Sequence, residues 1–429
     1  MQNVIELLKS RGLIEAITHD ELTHLVETPQ KIYCGFDPTS DSLHLGNLVP
    51  IIVLAWFQRC GHTPYAIVGG ATGMVGDPSG KIHERPLLDE ETVARNLKGI
   101  QKNLETVLCF DGSLPMPVIL NNYDWFQEFN VLTFLRDVGK QFRMGPMLAK
   151  DAVRTRLESE EGMSFSEFSY QLLQGYDFYH LYTEHGITIQ SGGSDQWGNI
   201  TAGIDITRRL ASATVYGVTF PLLTRSDGKK FGKSEKGAIW LSPEKLSSYE
   251  FYQYLYRIPD ADVTRLMRML TFMDMEEILQ IEAQMTSSDY VPNTAQKRLA
   301  EEVTRMIHGE EGLVTALKVT RGASPGMETK LDRETLEAIA KDMPSYSARS
   351  EKIIGAKLVD VVAELGIRSS KGEVRRLIKN GGVYLNNKKM TEEDHVITQE
   401  DLIDQQLLLL ALGKKNKILI RVETDDFHG

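Results

Sequence analysis

Between residue 31 and about 225, short runs rich in β-branched and aromatic residues alternate with longer stretches of helical period. The runs "KIYCGF", "PYAIVGG", "PVILNN" and "ITIQSGG" are continuous in apolar residues, as strands buried on both faces are, and each leads into a helix pattern or a glycine turn. That alternation predicts βαβ units and therefore a parallel sheet covered by helices on both sides. In such sheets ligands collect outside the carboxyl ends of the strands. Gly35 and Asp37, the stretch from Gly69 to Asp77, and the stretch from Gly192 to Gln196 all fall at those ends.

From residue 247 to about 320 the pattern changes. "SSYEFYQYLYRI", "DVTRLMRMLTFM", "MEEILQIEAQM" and "TAQKRLAEEVTRMIHG" are helical repeats with no strand between them, which predicts an all-helical domain. The turn-rich "TRGASPGMETK" opens a looser stretch. Beyond it, "KLVDVVAELGI" and "KGEVRRLIKN" read as helices, and "GGVYLNNKKM" and "KILIRV" as strands, of a small α+β module. The expected organisation is 1–225, 226–325, a linker at 326–350, and 351–421, without internal repeats.

Composition narrows the class. A chain of 429 residues exceeds one ordinary core, and 41% hydrophobic with 25% charged residues describes a globular protein rather than a disordered one. A net charge of -11 argues against general coating of nucleic acid, although affinity for phosphates depends on local basic patches. Cys34, Cys60 and Cys109 are odd in number and form no CxxC pair, so neither a disulfide framework nor a zinc site is expected. The opening residues lack the unbroken apolar core of a signal peptide. The longest apolar run, "LLLLALG", falls far short of the ~20 residues that span a bilayer. The expectation is a cytoplasmic protein without a membrane segment.

Three polar turns stand out. "GFDPTSDSLHLGN" sets Gly35, Thr39, His44 and Gly46 on a turn entering a helix, where free backbone N–H groups and the helix dipole favour phosphate. A lone histidine there is often only a capping residue. "GGATGMVGDPSGK" is neither a P-loop nor a dinucleotide fingerprint, because Val75 stands where the first P-loop glycine belongs and Gly70, Gly73 and Gly76 are spaced by three. It would be a set of packing turns, except that Asp77 adds a carboxylate costly to bury unpaired. "TRSDGKKFGKSEKG" gathers Lys229, Lys230, Lys233 and Ser234 among glycines. Most charge runs are solvated loops, but a glycine-hinged one can close over a triphosphate and neutralise a departing pyrophosphate.

"HLGN" after the first strand, followed much later by "KFGKS", resembles the HIGH and KMSKS signatures of class I aminoacyl-tRNA synthetases. With "YCGFDPT", "YQLLQGYDF" and "GGSDQWGNI" added, essentially the whole chain is similar to the bacterial tyrosyl-tRNA synthetases. The resemblance implies a Rossmann-like catalytic domain, an α-helical domain bearing on the anticodon arm, and a small S-four-like RNA-binding domain. It implies activation of tyrosine by ATP to tyrosyl-adenylate and diphosphate, then transfer to the terminal adenosine of tRNA(Tyr). Mg²⁺ would accompany ATP, with no tightly bound cofactor, and the chain would form a homodimer.

The same resemblance implies the site. Tyr33 and Asp177 would hold the substrate phenol, Asp77, Tyr170 and Gln174 would surround its amino group, and Gln190 would lie near its carboxylate. Gly35, Asp37, Gly46, Asn47, Asp195 and Gln196 would border the nucleotide. Thr39 and His44 would meet the outer phosphates, joined by Lys230, Lys233 and Ser234 from the glycine-hinged loop, with help from Lys81 and Arg85. The residues support this independently. Tyr170, Gln174 and Asp177 fall at i, i+4 and i+7, one face of a helix. A phenol and a carboxylate together can both donate to and accept from a substrate hydroxyl, so phenylalanine would leave them unpaired.

Two departures are present. "KFGKS" replaces Met and Ser of KMSKS but keeps both lysines and the last serine. Asn47 replaces the second histidine, and an asparagine amide can still donate to the nucleotide. For RNA, residues 371 to 389 carry six basic side chains against one acidic. Lys371, Arg375, Arg376, Lys379, Lys388 and Lys389 are expected to track a phosphate backbone, and Arg208 and Arg209 to meet the acceptor stem. Two rivals remain: the tryptophanyl branch, which needs no hydroxyl-reading pair, and a non-catalytic RNA-binding protein on the same fold.

Overall fold

The computed structural model describes residues 2–79, 88–226, 231–234, 237–322, 326, 331–340, 343–413 and 416–423, with the side chains of Ala152, Ser234 and Glu334 left out. Lys81, Arg85 and Lys230 therefore lie outside the described residues. The chain divides into two compact units, one of Met1–Leu246 with Gln253–Gly309, the other of Ser247–Tyr252 with Glu310–Gly429.

The first unit holds the mixed α/β architecture that the apolar runs predict. Its strands are β1 (Ala16–Ile17), β2 (Lys31–Phe36), β3 (Thr63–Val68), β4 (Val118–Asn121), β5 (Ile189–Gly193) and β6 (Tyr216–Phe220), in the spatial order β1-β6-β5-β2-β3-β4. All neighbours run parallel except the edge pair β1–β6, where Ala16 opposes Thr219. From β2 the chain moves outward to β3 and β4, then crosses back to lay β5 on the other side of β2. The topological switch point thus lies between β2 and β5, where the physics of such sheets puts the ligand crevice. β6 is not apparent from the apolar pattern, since "YGVTF" mixes glycine and threonine with apolar residues, yet every one of its positions is buried.

Two helices position side chains in the crevice. Leu48–Arg59 packs almost every residue inward, which fixes the turn that precedes it. Phe165–His185 opens with the Ser164 hydroxyl accepting from Glu167 N–H and closes on Gly186 in the left-handed region. Near its start, buried Glu167 pairs with buried Arg156 at 2.8 Å, which anchors that end of the helix.

The second unit contains a five-stranded sheet. Strand Leu407–Leu412 pairs with Val383–Leu385 on one side and Asn416–Glu423 on the other, and Ser345–Arg349 runs parallel to the latter. "LLLLAL", notable in the sequence only as too short for a membrane span, is the buried centre of this sheet. Leu408, Leu410 and Leu412 enter one core with Val359 and Val374, whereas Leu407 and Leu409 enter another with Leu336. Among the described residues no helix is long and apolar enough to cross a membrane.

Candidate active site

A cavity of about 610 Å³ opens at the carboxyl ends of β2, β3 and β5. Tyr33, Gly35, Asp37, Thr39, His44, Gly46, Asn47, Asp77, Tyr170, Gln174, Asp177, Gln190, Asp195 and Gln196 all line it. Lys233 does not. It is exposed on a two-residue strand, Lys233–Ser234, paired with Gly237–Ala238. Lys230 and the Ser234 side chain fall outside the described residues.

The deep end is buried and under-bonded. Tyr33 Oη, Gln174 Oε1 and Gln190 Oε1 are inaccessible to solvent and have no hydrogen-bond partner among the described residues. Three orphaned polar atoms in one cavity are costly unless a ligand meets them. Asp177 is buried beside them, and burial pushes its carboxyl up to about 8, against the pull of two hydrogen bonds. Trp125 Nε1–H donates to Asp177 Oδ1 at 2.9 Å, and Asn122 Nδ2–H donates to Oδ2 at 3.2 Å. Burial, with Asp177 nearby, raises the Tyr33 phenol well above its ordinary range, so it stays a donor.

A polar chain runs from there towards the mouth. Asn122 Nδ2–H also reaches Thr72 Oγ1 at 3.1 Å, the Thr72 hydroxyl donates to Asp37 Oδ1 at 2.8 Å, and the Tyr170 hydroxyl donates to Asp37 Oδ2 at 2.9 Å. Asp37, placed by resemblance at the nucleotide, thus also fixes Tyr170. Gly69 is required here: a Cβ would come 2.2 Å from Asp37 Oδ1. Asp77 accepts from Ser79 N–H at 2.9 Å and from Gln196 Nε2–H at 2.8 Å. Trp125 carries no motif, but Thr72 falls within the Gly69–Asp77 stretch and Asn122 directly follows β4, both places to which the strand-end rule directs attention.

At the mouth the "HLGN" turn is a reciprocal cap. Gly46 N–H donates to His44 Nδ1 at 3.0 Å, and His44 N–H donates to Asn47 Oδ1 at 3.2 Å. With Nδ1 accepting, a neutral His44 carries its proton on Nε2, the tautomer able to donate to a phosphate oxygen. Asn47 therefore does more than replace a donor, because its carbonyl oxygen holds the turn and its amide remains for a ligand. Asn47→Ala is expected to slow adenylate formation about tenfold, the loss of one cap and one contact, in a pre-steady-state assay. Asn47→His, which keeps a nitrogen acceptor, should be mild.

A second cavity, about 1010 Å³, shares Asp195 with the first and is lined by Lys150, Trp197, Arg143 and Arg209 among others. Lys150 Nζ donates to Gly198 O at 2.8 Å, and burial lowers its ammonium to about 8. Arg208 is paired with Asp205 at 2.7 Å. In the second unit, Lys371 pairs with Asp360 at 2.9 Å and Lys379 with Glu393 at 3.2 Å, while Arg375, Arg376, Lys388 and Lys389 are exposed on a helix and the adjoining hairpin.

Known proteins match this chain along nearly its whole length. The family described as tRNA synthetases class I (W and Y) matches residues 26–322, and the tyrosine–tRNA ligase SYY-like C-terminal domain matches residues 335–420. The tyrosine–tRNA ligase of Protochlamydia amoebophila is 62% identical over 98% of this chain and 99% of its own. A chloroplastic/mitochondrial tyrosine–tRNA ligase of Arabidopsis thaliana is 52% identical over 98% of this chain and 84% of its own. Among solved structures, a C-terminally truncated mitochondrial tyrosyl-tRNA synthetase of Aspergillus nidulans superposes with a TM-score of 0.65 at 32% identity, covering 74% of this chain and 92% of that one.

Proposed function

From the premise that the chain belongs to the class I tyrosine–tRNA ligases, we propose how its residues divide the work. The enzyme activates tyrosine with ATP and esterifies it to tRNA(Tyr). The single observation that carries the residue assignment is the trio of orphaned buried atoms on Tyr33, Gln174 and Gln190 beside Asp177. The Tyr33 hydroxyl beside Asp177 complements a substrate phenol at one end, and the two glutamine Oε1 acceptors complement an ammonium towards the other.

In this reading the phenol sits between the Tyr33 hydroxyl and Asp177, and the ammonium meets Tyr170, Gln174 and Asp77. The tyrosine carboxylate then attacks the α-phosphate, and pyrophosphate leaves towards Thr39 and His44. No protein nucleophile takes part. The residues hold two reactants in line and stabilise charge on the leaving group. Gly35, Asp37, Gly46, Asn47, Asp195 and Gln196 border the nucleotide, and Lys230, Lys233 and Ser234 close over the triphosphate. Mg²⁺ would accompany ATP, held mainly by its phosphates and water, and would supply charge neutralisation there.

The second cavity takes the 3′ end of the tRNA, because a half-buried lysine, two arginines and a half-exposed Trp197 suit stacked bases and phosphates. Arg208 and Arg209 meet the acceptor stem, and the basic helix and hairpin of segment 351–421 meet another arm. Reversing Arg375 and Arg376 to glutamate is expected to raise the KM for tRNA about tenfold or more and flatten its salt dependence, with tyrosine-dependent pyrophosphate exchange unchanged. The exposed apolar residues Val131, Leu132, Leu135, Met144 and Phe165 fit burial against a second copy. Three free thiols fit the cytoplasm. The assignment is tested by charging of tRNA(Tyr) with tyrosine by the enzyme and its Tyr33→Phe variant. Unchanged selection against phenylalanine in that variant would move the specificity pocket elsewhere.

A further inference from the structure

One short extended segment ties the two signature turns together. Leu45 N–H donates to Ile239 O at 2.7 Å and Leu241 N–H to Leu43 O at 2.9 Å, so His44 and Trp240 face each other as an antiparallel pair. The same segment reaches the lysine loop, where Ile239 N–H donates to Gly232 O at 2.9 Å. Gly232 is in the left-handed region and packs on the "HLGN" turn so closely that a Cβ would come 2.7 Å from Gly46 N. Ile239 and Leu241 are buried anchors, and His308 Nε2 lies 3.1 Å from Leu241 O.

Between those anchors Trp240 turns to the cavity. Its ring centroid lies 6.4 Å from that of His44, and both side chains line the cavity wall. On the indole sits Lys245, with Nζ 4.5 Å from the ring centroid. Lys245 is itself held by an ion pair to Asp41 and a 3.0 Å hydrogen bond to Ser40, both in the turn that carries Thr39 and His44. The ring is therefore braced from outside by a fixed cation while its neighbour in the backbone is bonded to the lysine loop.

We propose that Trp240, with Lys245 as its brace, is a positioning residue for adenylate formation, carrying the placement of the lysine loop to His44. The proposal rests on the reading of this cavity as the site of tyrosine activation. Any movement of Gly232 towards a triphosphate draws on Ile239, and a stiff aromatic side chain next in sequence passes that displacement to the His44 ring. A small aliphatic side chain at position 240 keeps the backbone pairing but loses the transmission.

The test combines Trp240→Leu, Trp240→Phe, Lys245→Met and the double variant Trp240→Leu/Lys245→Met. Each is assayed for tyrosine-dependent ATP–pyrophosphate exchange and for equilibrium tyrosine binding. Trp240→Leu should lower the exchange kcat about tenfold, the scale of one lost aromatic contact that acts in the transition state, with the Kd for tyrosine unchanged. Trp240→Phe should recover most of the rate. Lys245→Met should slow the enzyme a few-fold alone and have no further effect in the Trp240→Leu background, since neighbouring groups acting through one another do not add. Normal exchange by Trp240→Leu, an equal loss of tyrosine binding, or a Lys245→Met effect of the same size in both backgrounds would overturn the proposal while leaving the site reading intact. No tyrosine-dependent exchange by the unaltered enzyme would overturn both.

Discussion

Asp177→Asn should reduce tyrosine affinity about a hundredfold or more, the largest loss expected from any near-isosteric change in the cavity. Both carboxylate oxygens of Asp177 already accept, one from Trp125 and one from Asn122. An asparagine must turn its NH₂ towards one of those two donors. One buried N–H then loses its partner and the substrate hydroxyl loses its acceptor, and each unpaired group costs roughly 1–3 kcal/mol. Equilibrium dialysis with labelled tyrosine checks this, and an affinity within threefold or so of the unaltered enzyme would remove Asp177 from the phenol site. The same variant has a signature in stability. The folded-state pKa of Asp177 is raised from 3.8 to about 8, so the folded protein keeps a proton that the unfolded chain gives up. Its stabilising share is complete below the unfolded value and is lost as pH rises through the folded one. The melting temperature of the ligand-free enzyme should therefore fall more steeply between about pH 4 and 8 than that of Asp177→Asn, whose residue 177 does not titrate.

The second large effect belongs to Lys233→Ala. Lys233 is exposed and off the cavity wall, so it contributes to binding tyrosine neither by contact nor by packing. Its proposed contribution comes only when the loop closes and charge develops on the leaving pyrophosphate, and removing one such donor costs on the order of 10²–10³ in rate. The loss should fall on the rate of adenylate formation, with tyrosine binding within about twofold of normal, because interactions made only in the transition state leave ground-state affinity alone. Single-turnover formation of the adenylate, read beside tyrosine dialysis, separates the two. A normal rate would remove the lysine loop from the chemistry.

How the residues announce the fold differs from element to element. "KIYCGF" and "ITIQSGG" declare themselves because a strand buried on both faces has no polar period, and because their ends carry the glycines that admit a ligand. "YGVTF" hides its identity. Gly217 is there for packing, since a Cβ would come 2.4 Å from Ile200, and that constraint exists only once the helix Trp197–Ala211 lies across the strand. "LLLLAL" shows its burial but not its shape, because a continuous apolar run says nothing about period. Only the two cores on opposite sides of the strand explain why all six positions are apolar.

The cavity divides in the same way. Residues in direct reach of a ligand fall in compact signatures, so "YCGFDPT", "HLGN" and "YQLLQGYDF" bring theirs to one wall. The residues that hold those in place do not. Thr72 and Asn122 sit at strand ends without a signature of their own and Trp125 in chain that looks like ordinary loop, and each matters through the carboxylate it touches in space. Asn47 is an intermediate case. Its identity as a departure from the family pattern is plain, but its cap on His44 N–H is a fact of geometry.

The cavity is proposed to activate tyrosine and to read its hydroxyl. The most direct measurement is ATP–pyrophosphate exchange by the full-length enzyme with tyrosine, with phenylalanine, and with no amino acid. Exchange should depend on tyrosine and be nearly absent with phenylalanine. Exchange independent of tyrosine, or equal with the two amino acids, would contradict that reading.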